Sequence, residues 1–415
     1  MSENRFPLEW CREQFPALGR EVNGQRAVYL DGPAGSQVPQ CVIDAISGYL
    51  VECNANHGGR FATSRESDAM LATAHAAVAD LLGANDANAT VFGANMTSLT
   101  FAFSRALARE WKPGDEIVVT RLDHDANVNT WVMAARDAGA KVRYVSFRPG
   151  DCTLDLEELR AALGPRTRLV AVGCASNAVG TINPIAEIVR MSHDAGALVF
   201  LDAVHYAPHA LVDVEAWGCD FLACSAYKFF GPHVGILWGR PEFLRRFAPY
   251  KVRPAADDLP ERWMTGTQSH EGIAGTLAAV EYLAALGRRC EPAADNRRAA
   301  LAAAYRAISR YENQLCRQLL AGLARNSDVK VWGITEAARL DERVPTVSIT
   351  HGRRSPIEMA EMLAARGIFA WHGNFYALEL SESLGLEPEG LLRLGLLHYN
   401  TSEEVERLLE ALAEL

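Results

Sequence analysis

Leu198-Val-Phe-Leu-Asp202 and Asp220-Phe-Leu-Ala-Cys-Ser-Ala-Tyr-Lys-Phe-Phe-Gly-Pro-His-Val-Gly235 decide how this chain is read. Each carries a short continuous apolar run, the pattern of a strand buried on both faces. The first run ends in a carboxylate, Asp202. The second runs into Ser225-Ala-Tyr-Lys228, just before a Gly-Pro turn. Lysine is scarce here, confined to positions 112, 141, 228, 251 and 330. A lysine set among Ala, Tyr and Phe is costly to bury as a cation, so its pKa should fall. A neutral amine is what a Schiff base requires. An acid at one strand end, a lysine at the next and a serine three residues before the lysine are the parts that hold pyridoxal phosphate (PLP). A surface lysine after a strand is the plainer alternative.

Working outward, residues 88–240 alternate short β-branched runs with helical ones. Strands are expected at 89–92, 116–120, 141–146, 168–173, 198–202, 221–224 and 235–238. Helices are expected at 97–110, 128–138, 156–163, with Asp155 as N-cap, and 184–194. This alternation implies a mostly parallel sheet covered on both faces, with ligands bound beyond the carboxyl ends of its strands. Long helices at 272–286 and 293–323 follow. Smaller elements then mix: strands at 344–350 and 368–371, and helices at 356–365 and, starting at Ser402, 402–414. Three units are expected. An N-terminal segment, 1–25, carries Phe6, Trp10 and Phe15 and packs on the small domain. A large domain spans 26–290, and a linker helix with the small domain spans 291–415.

The composition excludes several classes. The 415 residues are 49% apolar and carry a net charge of -10 with no basic block, which argues against nucleic acid as a partner. No apolar run reaches the ~18 residues a membrane span needs. The acid-bearing start, Met-Ser-Glu-Asn-Arg-Phe, is not a signal peptide. The nine cysteines form no Cys-x-x-Cys pair and no metal-spaced cluster. Reduced thiols in the cytoplasm and no metal are therefore expected.

The remaining motifs are Tyr29-Leu-Asp-Gly-Pro-Ala34, Phe92-Gly-Ala-Asn-Met-Thr97, Asp123-His-Asp-Ala-Asn127, Ser176-Asn-Ala-Val-Gly-Thr-Ile-Asn-Pro184, Leu201-Asp-Ala-Val-His205, Thr265-Gly-Thr267 and Arg393 through Thr401. With Ser225-Ala-Tyr-Lys228, their order and spacing resemble class V aminotransferase-fold enzymes, in particular the cysteine desulfurase-like branch, over almost the whole length. The resemblance implies the PLP-dependent transferase fold type I: an α/β protein with a mostly parallel seven-stranded sheet, helices on both faces and a smaller C-terminal α+β domain. It implies a PLP aldimine on Lys228, which then serves as base at Cα, and Asp202 paired with the pyridine nitrogen. His205 would bond the phenolic oxygen, and Asn177 would lie near that oxygen and the substrate carboxylate. Asn95, Met96, Thr97 and Ser225 would cradle the phosphate beside Tyr227. Thr267 would reach the phosphate of a partner subunit in a homodimer. Arg393 would grip the α-carboxylate of a small amino-acid substrate.

Two departures stand out. The stretch Ile368-Phe-Ala-Trp-His-Gly-Asn-Phe-Tyr-Ala377 puts Tyr376 where desulfurases carry the cysteine that takes up sulfur, and no cysteine follows Cys316. A phenol cannot form a persulfide. The ring-stacking histidine aligns with Asp125, or with His124 if the register shifts by one. His372, Asn374 and Tyr376 become candidates for substrate contact. The expected protein is a cytoplasmic PLP enzyme working through an aldimine and a quinonoid without a persulfide, as aminotransferase or C–S lyase. Decarboxylative C–C bond formation, epimerisation, desulfuration by another route and non-catalytic PLP binding are the alternatives.

Overall fold

Seven strands build the central sheet of the computed structural model, which describes residues 6–414. They are β1 (Thr90–Gly93), β2 (Glu116–Thr120), β3 (Lys141–Val145), β4 (Thr167–Gly173), β5 (Leu198–Asp202), β6 (Phe221–Ser225) and β7 (Gly235–Gly239). Their order is β1-β7-β6-β5-β4-β2-β3. Every pairing is parallel except the two made by β7. All five residues of β2, β6 and β7 are buried, so side chains on both faces are covered. That is why these strands read as unbroken apolar runs rather than alternating ones. Among the described residues no helix is long and apolar enough to cross a membrane.

A smaller sheet contains β8 (Val329–Trp332), β9 (Thr346–His351), β10 (Trp371–Gly373) and β11 (Leu391–Gly395), antiparallel in the order β8-β9-β11-β10. Val347, Ile349, Leu392 and Leu394 form its core with Met359 and Leu363 of helix Pro356–Ala365 and Leu408 of helix Ser402–Ala413. The last helix is capped by Thr401, one residue before the expected Ser402. Thr401 and Glu404 close a reciprocal capping box.

Two expectations about organisation need correction. The run 368–371 is not one strand: Ile368–Phe369 pairs in parallel with Val28–Tyr29, and Trp371 opens β10. The apolar pattern continues through the break because the chain changes pairing partner there. Val28–Tyr29, placed with the large unit, thus hydrogen-bonds to the C-terminal part. The N-terminal segment does not sit on the small sheet alone. Phe15 packs 5.0 Å from Tyr399 and also 5.4 Å from Tyr282 and 5.7 Å from Phe230. Arg12 ties it to Glu404 at 2.8 Å. It seals the seam between the two sheets.

The helices His270–Cys290 and Arg297–Leu323 meet at Gly287, where a Cβ would lie 1.7 Å from the Ala300 carbonyl oxygen. In an exposed helix, Gly→Ala stabilises by up to about 1 kcal/mol. Here backbone blocks the added methyl, so Gly287→Ala should instead cost about 1–3 kcal/mol. Chemical denaturation reads this directly, and a variant as stable as the parent would contradict the close approach.

Candidate active site

Strands β4, β5 and β6 end on one side of the sheet, and a cavity of about 590 Å³ lies there against the small sheet. Asp202 is the last residue of β5 and Ser225 the last of β6. Lys228 follows in one tight turn, Ala226–Lys228, its Nζ donating to the Pro33 carbonyl. Burial pushes the Lys228 pKa down to about 7, Arg393 pushes the same way, and Asp202 opposes them. Burial lifts Asp202 to about 6 against a 2.8 Å hydrogen bond from the Val204 N–H and the pull of Lys228.

From the other side β11 presents Arg393, buried although its neighbours Leu392 and Leu394 fill the small core. Its Nη1 donates to the Asn177 carbonyl at 2.8 Å, and its Cζ stands 4.0 Å from the Phe375 ring centroid. Burial lowers its pKa to about 9, so the guanidinium remains a cation at neutral pH. Among the described residues no carboxylate forms an ion pair with it.

The wall between these groups is the loop after β10. Asn177 Nδ2 donates to the Phe375 carbonyl at 2.8 Å, and the Asp125 N–H donates to the Tyr376 carbonyl at 2.7 Å. Phe375 and Tyr376 both have left-handed φ, 57° and 58°. Each such residue costs on the order of 1–3 kcal/mol and persists only where its surroundings over-determine it. Tyr376 stays 72% exposed at the rim, its ring stacked 5.4 Å from that of His124.

Of the residues singled out from the sequence, all but Asp125 and Thr267 line this cavity. For Asp125 the reason is a tight turn, Asp125–Asn127, for which His124 is the cap. The turn directs His124 into the cavity and leaves the Asp125 side chain outside. His124 Nδ1 accepts from the Ala126 N–H at 3.0 Å, which leaves the proton of the neutral ring on Nε2. Burial, with Lys228 and Arg393 nearby, holds His124 down to about 4 and hence neutral at pH 7. Thr267 is exposed and away from this chain's own cavity. His205 Nε2 lies 2.9 Å from Thr346 Oγ1 on β9.

Sequence reading missed Phe375, because a positive φ has no signature in a non-glycine residue. It also missed Asp123, wholly buried behind His124 and raised to about 7 by burial, where it accepts from Gly173 N–H and Asn127 Nδ2, both at 2.8 Å. Its place in the Asp123–Asn127 motif was the available signal.

The residues present fit PLP. The helix Met96–Ala108 opens at the cavity with Asn95, Thr97 and Ser98 exposed, a seat for an anion. That seat is close-packed: a Cβ on Gly235 of β7 would lie 2.3 Å from the Asn95 carbonyl carbon. Two buried polar atoms of lining residues, Asn177 Oδ1 and His205 Nδ1, have no partner. A polar ligand with a phosphate and a ring oxygen would satisfy both needs.

Known proteins share this architecture. The family model of aminotransferase class V matches residues 28–408. A cysteine desulfurase of Enterobacter sp. (strain 638) is 32% identical, over 99% of this chain and 98% of its own length. The aminotransferase-like protein FGM3 of Gibberella zeae is 34% identical, over 99% of each. The apo cysteine desulfurase of Thermococcus onnurineus NA1 superposes with a TM-score of 0.87 at 27% identity, covering 100% of this chain and 99% of that one.

The depressed Lys228 pKa has a measurable consequence. In protein stripped of cofactor, the rate of covalent capture of added PLP should rise with pH through a midpoint of about 7 and level above it, as the amine becomes fully neutral. An ordinary lysine would keep gaining neutral fraction to about pH 10. Stopped-flow absorbance across pH checks this. Lys228→Ala should leave no adduct that borohydride fixes, and a fixed adduct on that variant would move the site elsewhere.

Proposed function

The chain belongs to the aminotransferase class V family and is a PLP-dependent enzyme related to cysteine desulfurases, and we propose that it acts at Cα of a small amino acid without a persulfide on its own thiols. Bound PLP supplies an electron sink for a bond broken at Cα. Lys228 Nζ would hold the cofactor aldehyde and, as a neutral amine, would take the Cα proton. Asp202 holds the proton on the ring nitrogen. Arg393 binds the α-carboxylate through a planar fork that no protein acid occupies. His205 Nδ1 would donate to the phenolic oxygen when its ring carries the proton there, and Asn177 Oδ1, an acceptor, would take a hydrogen bond from a ligand N–H or O–H. His124, neutral and proton-bearing at Nε2, forms a flat wall of the cavity.

One observation carries the persulfide-free reading: among the described residues no cysteine lines the cavity. All nine thiols are held above their ordinary pKa with burial as the first cause, among them Cys174 and Cys224, which stand closest to Asp202 in electrostatic influence. A buried protonated thiol is a poor nucleophile. Transamination and expulsion of a β-thiolate are two outcomes that need no enzyme thiol. In the first, Lys228 would be the group that returns the proton; in the second, the leaving sulfur would depart as free thiol. Incubation with L-cysteine should therefore yield a keto acid or free sulfide with no persulfide on the protein. Thiol trapping and mass spectrometry read this. A persulfide on one cysteine, with turnover lost on its change to Ser, would restore a desulfurase.

The exposed Thr265-Gly-Thr267 stretch, outside its own cavity, further supports a homodimer in which Thr267 serves the partner's phosphate. Sedimentation should give a dimer, and Thr267→Ala should weaken PLP retention. A monomer with full cofactor occupancy contradicts this.

A further inference from the structure

We propose that Phe375 is a positioning residue for carboxylate recognition: its ring holds the Arg393 guanidinium by one face so that the Nε–Nη2 edge stays free for substrate. The proposal rests on the reading that Arg393 takes the α-carboxylate.

A buried arginine is ordinarily oriented by an acid, because an unpaired buried charge is costly. Among the described residues no acid forms an ion pair with Arg393, although Asp31 acts on it electrostatically from further off. Two contacts stand in place of such a pair: the 2.8 Å hydrogen bond from Nη1 to the Asn177 carbonyl, and the Phe375 ring centroid 4.0 Å from Cζ. Neither engages Nε or Nη2. Those atoms make no protein hydrogen bond among the described residues, and they are not sealed from solvent like the orphaned atoms of Asn177 and His205. The chemistry explains why a ring serves where an acid would not. A carboxylate partner would occupy the same planar fork that the substrate needs. An aromatic face attracts the cation without using an N–H donor.

The backbone tells the same story. Phe375 is held at φ 57°, where glycine would sit without strain. What phenylalanine adds at this position is therefore the ring. Asn177 closes the triangle: its carbonyl accepts from Arg393 while its Nδ2 donates to the Phe375 carbonyl at 2.8 Å. One residue thus fixes both the cation and the ring that faces it.

The test uses the PLP-loaded protein, with L-alanine and ethylamine as probes followed by cofactor absorption. Ethylamine lacks the carboxylate. Phe375→Leu keeps apolar bulk without the ring, and Phe375→Gly removes the ring while relaxing the backbone. Both should weaken L-alanine roughly three- to thirty-fold and leave ethylamine unchanged, while Phe375→Tyr should stay within about twofold of the parent. Phe375→Gly should also be at least as stable as Phe375→Leu on thermal unfolding, which guards against misfolding of the leucine variant. Equal weakening of both probes would mean that the ring shapes the cavity generally, and would overturn the proposal. So would unchanged L-alanine binding in both ring-less variants, or a tyrosine variant as weak as leucine. Arg393→Lys separates the two levels. If it binds L-alanine as the parent does, or if the parent itself gives no response to L-alanine, the carboxylate reading of Arg393 fails. If Arg393→Lys is impaired but the ring-less variants are not, only the role of Phe375 falls.

Discussion

Two cations buried in one cavity, Lys228 and Arg393, set the terms for everything around them. Each depresses the pKa of His124, and Arg393 depresses that of Lys228. The opposing acids are weakened by the same burial: Asp202 and Asp31 both rise to about 6. A buried guanidinium that no acid among the described residues engages in an ion pair is costly by itself and favours an anionic ligand. Under the proposed reading, a phosphate at one end and a carboxylate at the other would supply what the protein omits. Burial first, and the Arg393 charge second, keep Lys228 within reach of its neutral form at physiological pH, which imine chemistry demands.

That arrangement needs the two sheets to be locked together, because the cations come from opposite sides. The loop after β4 does the locking. Ser348 Oγ of β9 donates to the Ala178 carbonyl at 2.5 Å, and Arg343 Nη2 donates to the Val179 carbonyl at 3.2 Å. Thr346 of β9 reaches His205, and Asn177 reaches both Arg393 and Phe375. Asn400 Nδ2 adds a bond to the Tyr29 carbonyl at 2.9 Å. Most of these partners are backbone carbonyls, which cannot rotate away as side chains do. Arg393 therefore stands at a fixed position relative to Lys228, as discrimination by a single carboxylate contact requires.

How much of this could be read from the sequence follows from what each element depends on. Glu116–Thr120, Leu198–Asp202 and Pro356–Ala365 run between the expected residues because burial or capping defines them locally. That Lys228, Asp202 and Arg393 would share one cavity was legible for a related reason: a charged residue inside an apolar run is an exception that needs a cause. Where the sequence misled, the deciding contact was distant or conformational. Whether Asp125 or His124 enters the cavity turns on one tight turn, and a shift by one residue leaves the composition unchanged. The division of 368–371 depends on Val28–Tyr29, far away in the chain. Phe375 looks like any loop aromatic until its φ and the guanidinium beside it are known.

The loop that carries Tyr376 also bears on the chemistry. A segment that ferries a sulfur nucleophile must bring its reactive atom to the substrate sulfur carried on Cβ and then withdraw it to hand the sulfur on. Here the segment is held at several points along its length. Asn374 Nδ2 bonds Glu387 at 3.1 Å, the Phe375 carbonyl is taken by Asn177, the Phe375 ring faces Arg393, and the Tyr376 carbonyl is taken by Asp125. Two consecutive left-handed residues leave little freedom for another path. Tyr376, at the rim and stacked on His124, closes one side of the opening rather than reaching toward the amine. A pinned wall with a phenol at its edge suits chemistry completed between Lys228, the cofactor and the substrate. It also supports a leaving group that departs through the mouth without passing to the protein.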